Sequence, residues 1–303
     1  MHTNEPTQDR LTGTRRTGQR PETATLGSYT RPARLEDALT ALRGRPCTVL
    51  AGGTDHYPAR VARTPDEAIL DITALPELAG IRRDPDGALV IGATATWSQV
   101  VAAMLPPACD GLKAAAREIG GVQIQNRGTV GGNLCNASPA ADGVPALLSL
   151  DAEVELASLD GVRRLPLDRF VLGNRRTDRR PDELLTAIRV PAAALEGRSR
   201  FLKLGARRYL VISIVMVAGT MTVAPDGTVA AVRLAVGACS AAALRLRDLE
   251  AALLGRPAGD AAAAVGAAHL AGLQPIDDVR ADAGYRREAA GVLVRRCLSE
   301  LAA

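Results

Sequence analysis

The chain has 303 residues, 47% apolar and 23% charged, enough to bury a sizeable core and to form two domains or three small lobes. Its net charge of +4 does not describe a nucleic-acid surface: aromatics are only 2% of the chain, and its basic residues, all arginine except Lys113 and Lys203, are interleaved with acids. Five cysteines, at 47, 109, 135, 239 and 297, show no C-x-x-C and no ligand spacing, which argues against metal or an iron–sulfur cluster on this chain and fits a reducing cytoplasm.

Residues 1–22 are polar and carry Arg15-Arg16 with no apolar run behind them, so they read as a disordered tail and not as a signal peptide. Leu35, Ala38, Leu39 and Leu42 then recur at helical spacing, closed by Gly44. A short apolar strand, Cys47 to Leu50, runs straight into Ala51-Gly52-Gly53-Thr54-Asp55. Asp-Gly turns between apolar runs predict three hairpins, over Ile81 to Ile91, Val154 to Leu165 and Ile212 to Val236. Between the first two lie a helix over Gly111 to Glu118 and a second glycine pair, Thr129-Val130-Gly131-Gly132-Asn133. A polar stretch, Glu196 to Arg200, separates the loop-bearing half from a hairpin-plus-helix half. Residues 241–303 are Ala- and Leu-rich and read as helical, ending in Tyr285 to Leu301 with an apolar face at Ala289, Val292, Leu293 and Cys297. The longest apolar stretch, Leu210 to Ala224, is too short for a membrane span. The class is α+β with mixed sheets.

The two glycine pairs are the candidate chemistry. Each offers successive backbone N–H groups with little side chain in the way, which is what a buried diphosphate requires. Charge-assisted hydrogen bonds contribute roughly 1.5–3 kcal/mol each, so several together decide affinity. Neither pair reads G-x-G-x-x-G or G-x-x-x-x-G-K-[ST], which disfavours a Rossmann turn and a P-loop. Taken singly, each pair is equally at home in a plain turn. Asp142 can accept hydrogen bonds from ribose hydroxyls or can cap the apolar run from Val144 to Leu150. His56 stands beside the first pair without a carboxylate partner in the sequence, so it is not read as a base, and His269 is an ordinary helix residue. No catalytic acid, base, nucleophile or metal site emerges.

The string from Gln123-Ile124-Gln125-Asn126-Arg127-Gly128 through Thr129 to Asn133, followed by Ala137-Ser138-Pro139-Ala140-Ala141-Asp142, resembles the FAD-binding medium subunit of the molybdenum hydroxylases, the xanthine dehydrogenase and carbon monoxide dehydrogenase family. The resemblance runs from about Tyr29 to the end. Ala51 to Asp55, Ile91-Gly92-Ala93, Phe170 to Thr177, Glu183-Leu184-Leu185, Phe201-Leu202-Lys203 and Tyr285-Arg286-Arg287 fall in the family's order.

That resemblance implies an FAD-binding domain of two α+β lobes over 23–196, of the molybdopterin-dehydrogenase type, followed by a smaller α+β domain over 197–303. It implies that Val49, Leu50, Ala51, Gly52, Gly53, Thr54, Asp55 and His56 wrap the diphosphate. Thr129, Val130, Gly131, Gly132 and Asn133 would close on it from the other side. Asp142 would lie near the ribose and adenosine, Ile119, Leu185 and Lys203 would contact FAD, and Ile212 would stand near the isoalloxazine ring. Two departures from the pattern are Gln125, where an arginine is common, and His56, where an apolar residue is usual. The implied partners are a molybdopterin-binding large subunit and a small subunit with two [2Fe–2S] clusters, in a cytoplasmic heterotrimer or its dimer. Electrons would pass through FAD to NAD+ or another acceptor. Competing readings are a stand-alone reductase of the cell-wall precursor type, a single-chain flavin oxidase, which would need a larger cap domain, and a flavin-free structural subunit.

Overall fold

The computed structural model describes Met1, residues 27–60 and residues 66–303. Apart from Met1, the expected tail over 1–22 lies outside the described residues.

Three small sheets carry the architecture. In the first lobe, β1 (Tyr29–Thr30), β2 (Thr48–Leu50) and β3 (Ile69–Asp71) pair in parallel, in the order β1-β3-β2. Helix α1 (Leu35–Gly44) covers this sheet with Ala38, Leu39 and Leu42, the apolar positions that the sequence spaces one turn apart. Glu36 and Asp37 occupy its first turn, where the helix dipole favours acids.

The second lobe is built on β4 (Ile81–Arg83), β5 (Leu89–Gly92), β6 (Glu153–Ser158) and β7 (Gly161–Pro166). A two-stranded ribbon follows, β8 (Val171–Gly173) with β9 (Arg176–Thr177), and then β10 (Leu184–Val190). The five long strands are antiparallel in the order β4-β5-β10-β6-β7. Between β5 and β6 the chain makes α2 (Trp97–Ala102), α3 (Asp110–Glu118), α4 (Val122–Gln125), α5 (Val130–Asn136) and α6 (Gly143–Leu148), with α7 (Leu167–Phe170) after β7.

The third sheet holds β11 (Arg198–Leu204), β12 (Val215–Val223), β13 (Val229–Gly237) and β14 (Leu244–Arg245), all antiparallel, backed by α8 (Arg247–Leu253) and α9 (Ala283–Ala302). Alternation along β12 feeds two cores. Met216 and Ala218 join the apolar cluster that fills the first two lobes, while Val215, Val217 and Met221 join a second cluster under α8 and α9. All three expected hairpins form, and Gly87, Gly161 and Gly227 take positive φ at their turns, as the Asp-Gly pairs predict.

Other expectations give way. The polar stretch from Glu196 to Arg200 is not a separator: from Arg198 it is strand, with Ser199 and Phe201 turned inward and the arginines outward. Three charges in five residues hid the period of two. Residues 241–303 are only partly helical, because Gly255, Pro257, Gly266 and Pro275 break them into a strand, short 3-10 turns and open chain before α9. The buried face of α9 is Arg286, Ala290, Gly291, Val294, Cys297, Leu298 and Leu301, whereas Val292 faces solvent. The stripe begins on a charged residue, so an apolar count starts it in the wrong place.

Arg286 is 2% exposed, and its Nη1 donates to Ile214 O at 2.7 Å and Ala238 O at 3.2 Å, with Nη2 on Asp278 at 2.7 Å. It ties α9 to the start of β12 and the end of β13. Arg286→Met strands both carbonyls, at about 1–3 kcal/mol each. Denaturant unfolding should show that loss, and a variant as stable as the parent would mean the carbonyls find other donors.

Candidate functional site

Strand β2 ends at Leu50 and delivers Ala51 to Asp55 to the gap between the first two lobes. There Gly52 lies against the main chain of Arg127 and Gly128, so closely that a Cβ would overlap the Arg127 carbonyl. On the other side, a Cβ on Gly131 would come within 2.6 Å of Ala93 O. Two stretches about 75 residues apart in sequence meet because neither carries a side chain at the crossing. They form the walls of a cleft of about 680 Å³, within the size range of small-molecule and cofactor sites.

The walls are not equivalent. Among the described residues nothing accepts from the N–H groups of Gly52, Gly53, Thr54 and Asp55, and Gly53 takes φ +72. The second stretch differs from the sequence reading. It is the capped first turn of α5, with Thr129 as N-cap accepting from Gly132 N at 3.0 Å. The N–H groups of Val130, Gly131 and Asn133 donate to Ala95 O, Ala93 O and Thr129 O. Two glycines, poor helix formers, concealed this helix. What this wall offers instead is a side chain: Asn133 Oδ1 is buried and has no hydrogen-bond partner among the described residues.

Val49, Leu50, Ala51, Gly52, Gly53, Thr54, Asp55 and His56 all line the cleft, as do Thr129, Gly131, Gly132, Asn133, Ile119 and Leu185. Val130, Asp142, Lys203 and Ile212 do not. Val130 is buried beneath the wall, and Ile212 is exposed on the segment between β11 and β12. Lys203 and Asp142 hold each other at 2.7 Å, both 7% exposed, at the seam with the third sheet. Ser213 Oγ donates to the other Asp142 oxygen at 2.5 Å, and Lys203 Nζ also reaches Glu118 O at 3.3 Å. Burial pushes the Asp142 carboxyl up; the Lys203 charge and the hydrogen bonds from Lys203 and Ser213 oppose it.

Several lining residues were not singled out from sequence. Arg60, Arg175 and Arg179 bring three guanidinium groups to a site whose free N–H groups already favour an anion. Trp97, the chain's single tryptophan, is buried beside Gly143 and Gly128 and follows a Thr96/Gln99 capping box, which was a readable signal. His56 does have a carboxylate neighbour: Glu67 Oε1 lies 3.7 Å from Nε2 and 2.7 Å from Arg60 Nε. The Thr48 hydroxyl and then Arg60 hold Glu67 below the usual carboxylate range against the cost of burial. Gln125, at the position where the family favours arginine, donates to Arg117 O at 3.0 Å. His269 accepts from Gly266 N at 3.1 Å and caps a 3-10 turn. Among the described residues no three His, Cys, Asp or Glu side chains gather as a metal site, and no helix is long and apolar enough to cross a membrane.

Residues 22–193 match the family described as the FAD binding domain in molybdopterin dehydrogenase, and residues 200–301 match the CO dehydrogenase flavoprotein C-terminal domain. Together they define a class, the flavin-binding chains of molybdopterin dehydrogenases. The xanthine dehydrogenase FAD-binding subunit of Escherichia coli O157:H7 is 32% identical over 293 residues, covering 92% of this chain and 97% of that protein. The carbon monoxide dehydrogenase medium chain of Hydrogenophaga pseudoflava is 31% identical over 268 residues, covering 86% and 91%. A solved CO dehydrogenase from Oligotropha carboxidovorans superposes with a TM-score of 0.83 at 26% identity, over 91% of this chain and 97% of that one. This chain belongs to the family of FAD-binding medium subunits of the molybdenum hydroxylases. The expected α+β fold class, an FAD-binding domain plus a C-terminal domain, is the one observed. The cleft fits FAD: a diphosphate finds unclaimed N–H groups and guanidinium groups, and the glycine crossing leaves the main chain bare beside it.

Proposed function

We propose that this chain is the electron-transfer subunit of a molybdenum hydroxylase, holding FAD in the cleft between its first two lobes. The observation that carries the reading is the crossing at Gly52, where two distant bare stretches meet beside four unclaimed N–H groups. When bound, FAD exchanges electrons singly or in pairs, which joins one-electron iron–sulfur clusters on a partner subunit to NAD+ or another acceptor.

The chain's own part is to bind and orient. Gly52 to Asp55 offer N–H donors to the diphosphate, Asn133 offers its amide, and Ile119 and Leu185 give the cleft apolar wall. Val130, Asp142, Lys203 and Ile212 are assigned to FAD by family position alone. The domain division proposed is 23–196 and 197–303. The partners proposed are a molybdopterin-binding large subunit and a small subunit with two [2Fe–2S] clusters, as a heterotrimer or its dimer in the cytoplasm. No acid or base on this chain is needed for that role.

Purified chain incubated with FAD and passed through gel filtration is expected to retain about one flavin per chain, read from its visible spectrum, and to hydroxylate nothing unaided. A colourless protein, or one that oxidises a purine or aldehyde alone, overturns the proposal.

A further inference from the structure

The β8–β9 ribbon turns through Asn174 and Arg175 beside the cleft, and Arg175 takes φ +56, a left-handed conformation that favours glycine or asparagine. Its main chain is pinned there, Arg175 N donating to Ala137 O at 3.0 Å at the end of α5. Its side chain reaches two ways from one nitrogen: Nη1 donates to Asp55 Oδ2 at 2.7 Å and to Asn136 Oδ1. Asp55 belongs to the first wall and Asn136 to the helix of the second, 120 and 39 positions away from Arg175 in sequence, and all three residues line the cleft.

The Arg175 and Asp55 side chains are 55% and 52% exposed, so the pair adds little to the stability of the fold. A backbone conformation that disfavours arginine, spent on a contact that barely stabilises, points to a use other than folding. We propose that Arg175 is a positioning residue, a clasp that spans the two walls and slows the escape of the nucleotide cofactor. It also neutralises the Asp55 carboxylate, which would otherwise repel a diphosphate held by the neighbouring N–H groups. A lysine carries the charge but lacks the planar fork that reaches two acceptors at once.

This inference rests on the FAD reading. The test measures release of FAD from the loaded full chain by trapping and fluorescence, beside melting of the cofactor-free protein. Arg175→Met is expected to release FAD about tenfold faster with the melting temperature of the cofactor-free chain unchanged, and Arg175→Lys to fall between it and the parent. Asn136→Ala removes the far anchor without changing charge; it should release FAD about threefold faster, and the Arg175→Met/Asn136→Ala double variant no faster than Arg175→Met alone. A parent chain that binds no FAD overturns the functional reading. A parent that binds FAD while its variants release it at the parental rate, or with additive effects, overturns the clasp alone.

Discussion

Gly52→Ala will abolish FAD retention. The added methyl falls on the Arg127 carbonyl, where main chain meets main chain and no side chain can rotate aside. Overpacking of this kind typically costs about 1–3 kcal/mol even where neighbours can shift. Here the shift available is separation of the two walls, and separation removes the convergence of donors that the diphosphate needs. A loss of about 3 kcal/mol in binding is roughly a hundredfold in affinity. Gly44→Ala is the control, since nothing lies within 4 Å of a Cβ there. The flavin-to-protein ratio after gel filtration, with far-ultraviolet circular dichroism to show folding, reads the result. Stoichiometric flavin in a folded Gly52→Ala chain would place the site elsewhere.

Lys203→Met will destabilise the chain most near neutral pH. It leaves Asp142 buried with Ser213 as its remaining hydrogen-bond donor, and breaking a buried pair costs about 3–5 kcal/mol. The sign with pH follows from Asp142. Burial raises its folded pKa above the unfolded value, near 3.9, so the folded chain holds this proton more tightly than the unfolded chain does. Without the ammonium that preference grows. The deficit against the parent is therefore full at neutral pH and shrinks as pH falls and Asp142 protonates. Urea unfolding of both proteins near neutrality and at about pH 5 measures it, and Lys203→Met/Asp142→Asn should recover much of the loss. A deficit that does not change with pH would mean that the pair acts through packing alone.

The residues that could be read from sequence were those whose reason is local. Asp-Gly turns announced three hairpins because the turn itself demands positive φ. The α1 stripe announced a helix because its apolar positions recur within one segment. The meeting of Gly52 with Arg127 was foreseeable only through the collinear family motif, since nothing near either residue names the other. Asp142 and Lys203 show the limit: local sequence left Asp142 between cap and ribose ligand, whereas its carboxylate is engaged by a lysine 61 positions away. Arg175 sat inside a quoted motif without a role, because its two anchors lie on other elements. The strand at Arg198 and the helix at Val130 were hidden for opposite reasons, one by charge and the other by glycine.

Strand β12 is a party wall. Alternate residues along it are owned by different interiors, so neither can be dismantled while the other stands. The last hundred residues therefore cannot swing on a hinge like a door, and expressed without the rest they would bare Met216 and Ala218 to water and clump. Traffic of small molecules to the cleft is left to surface turns such as the one that carries Arg175.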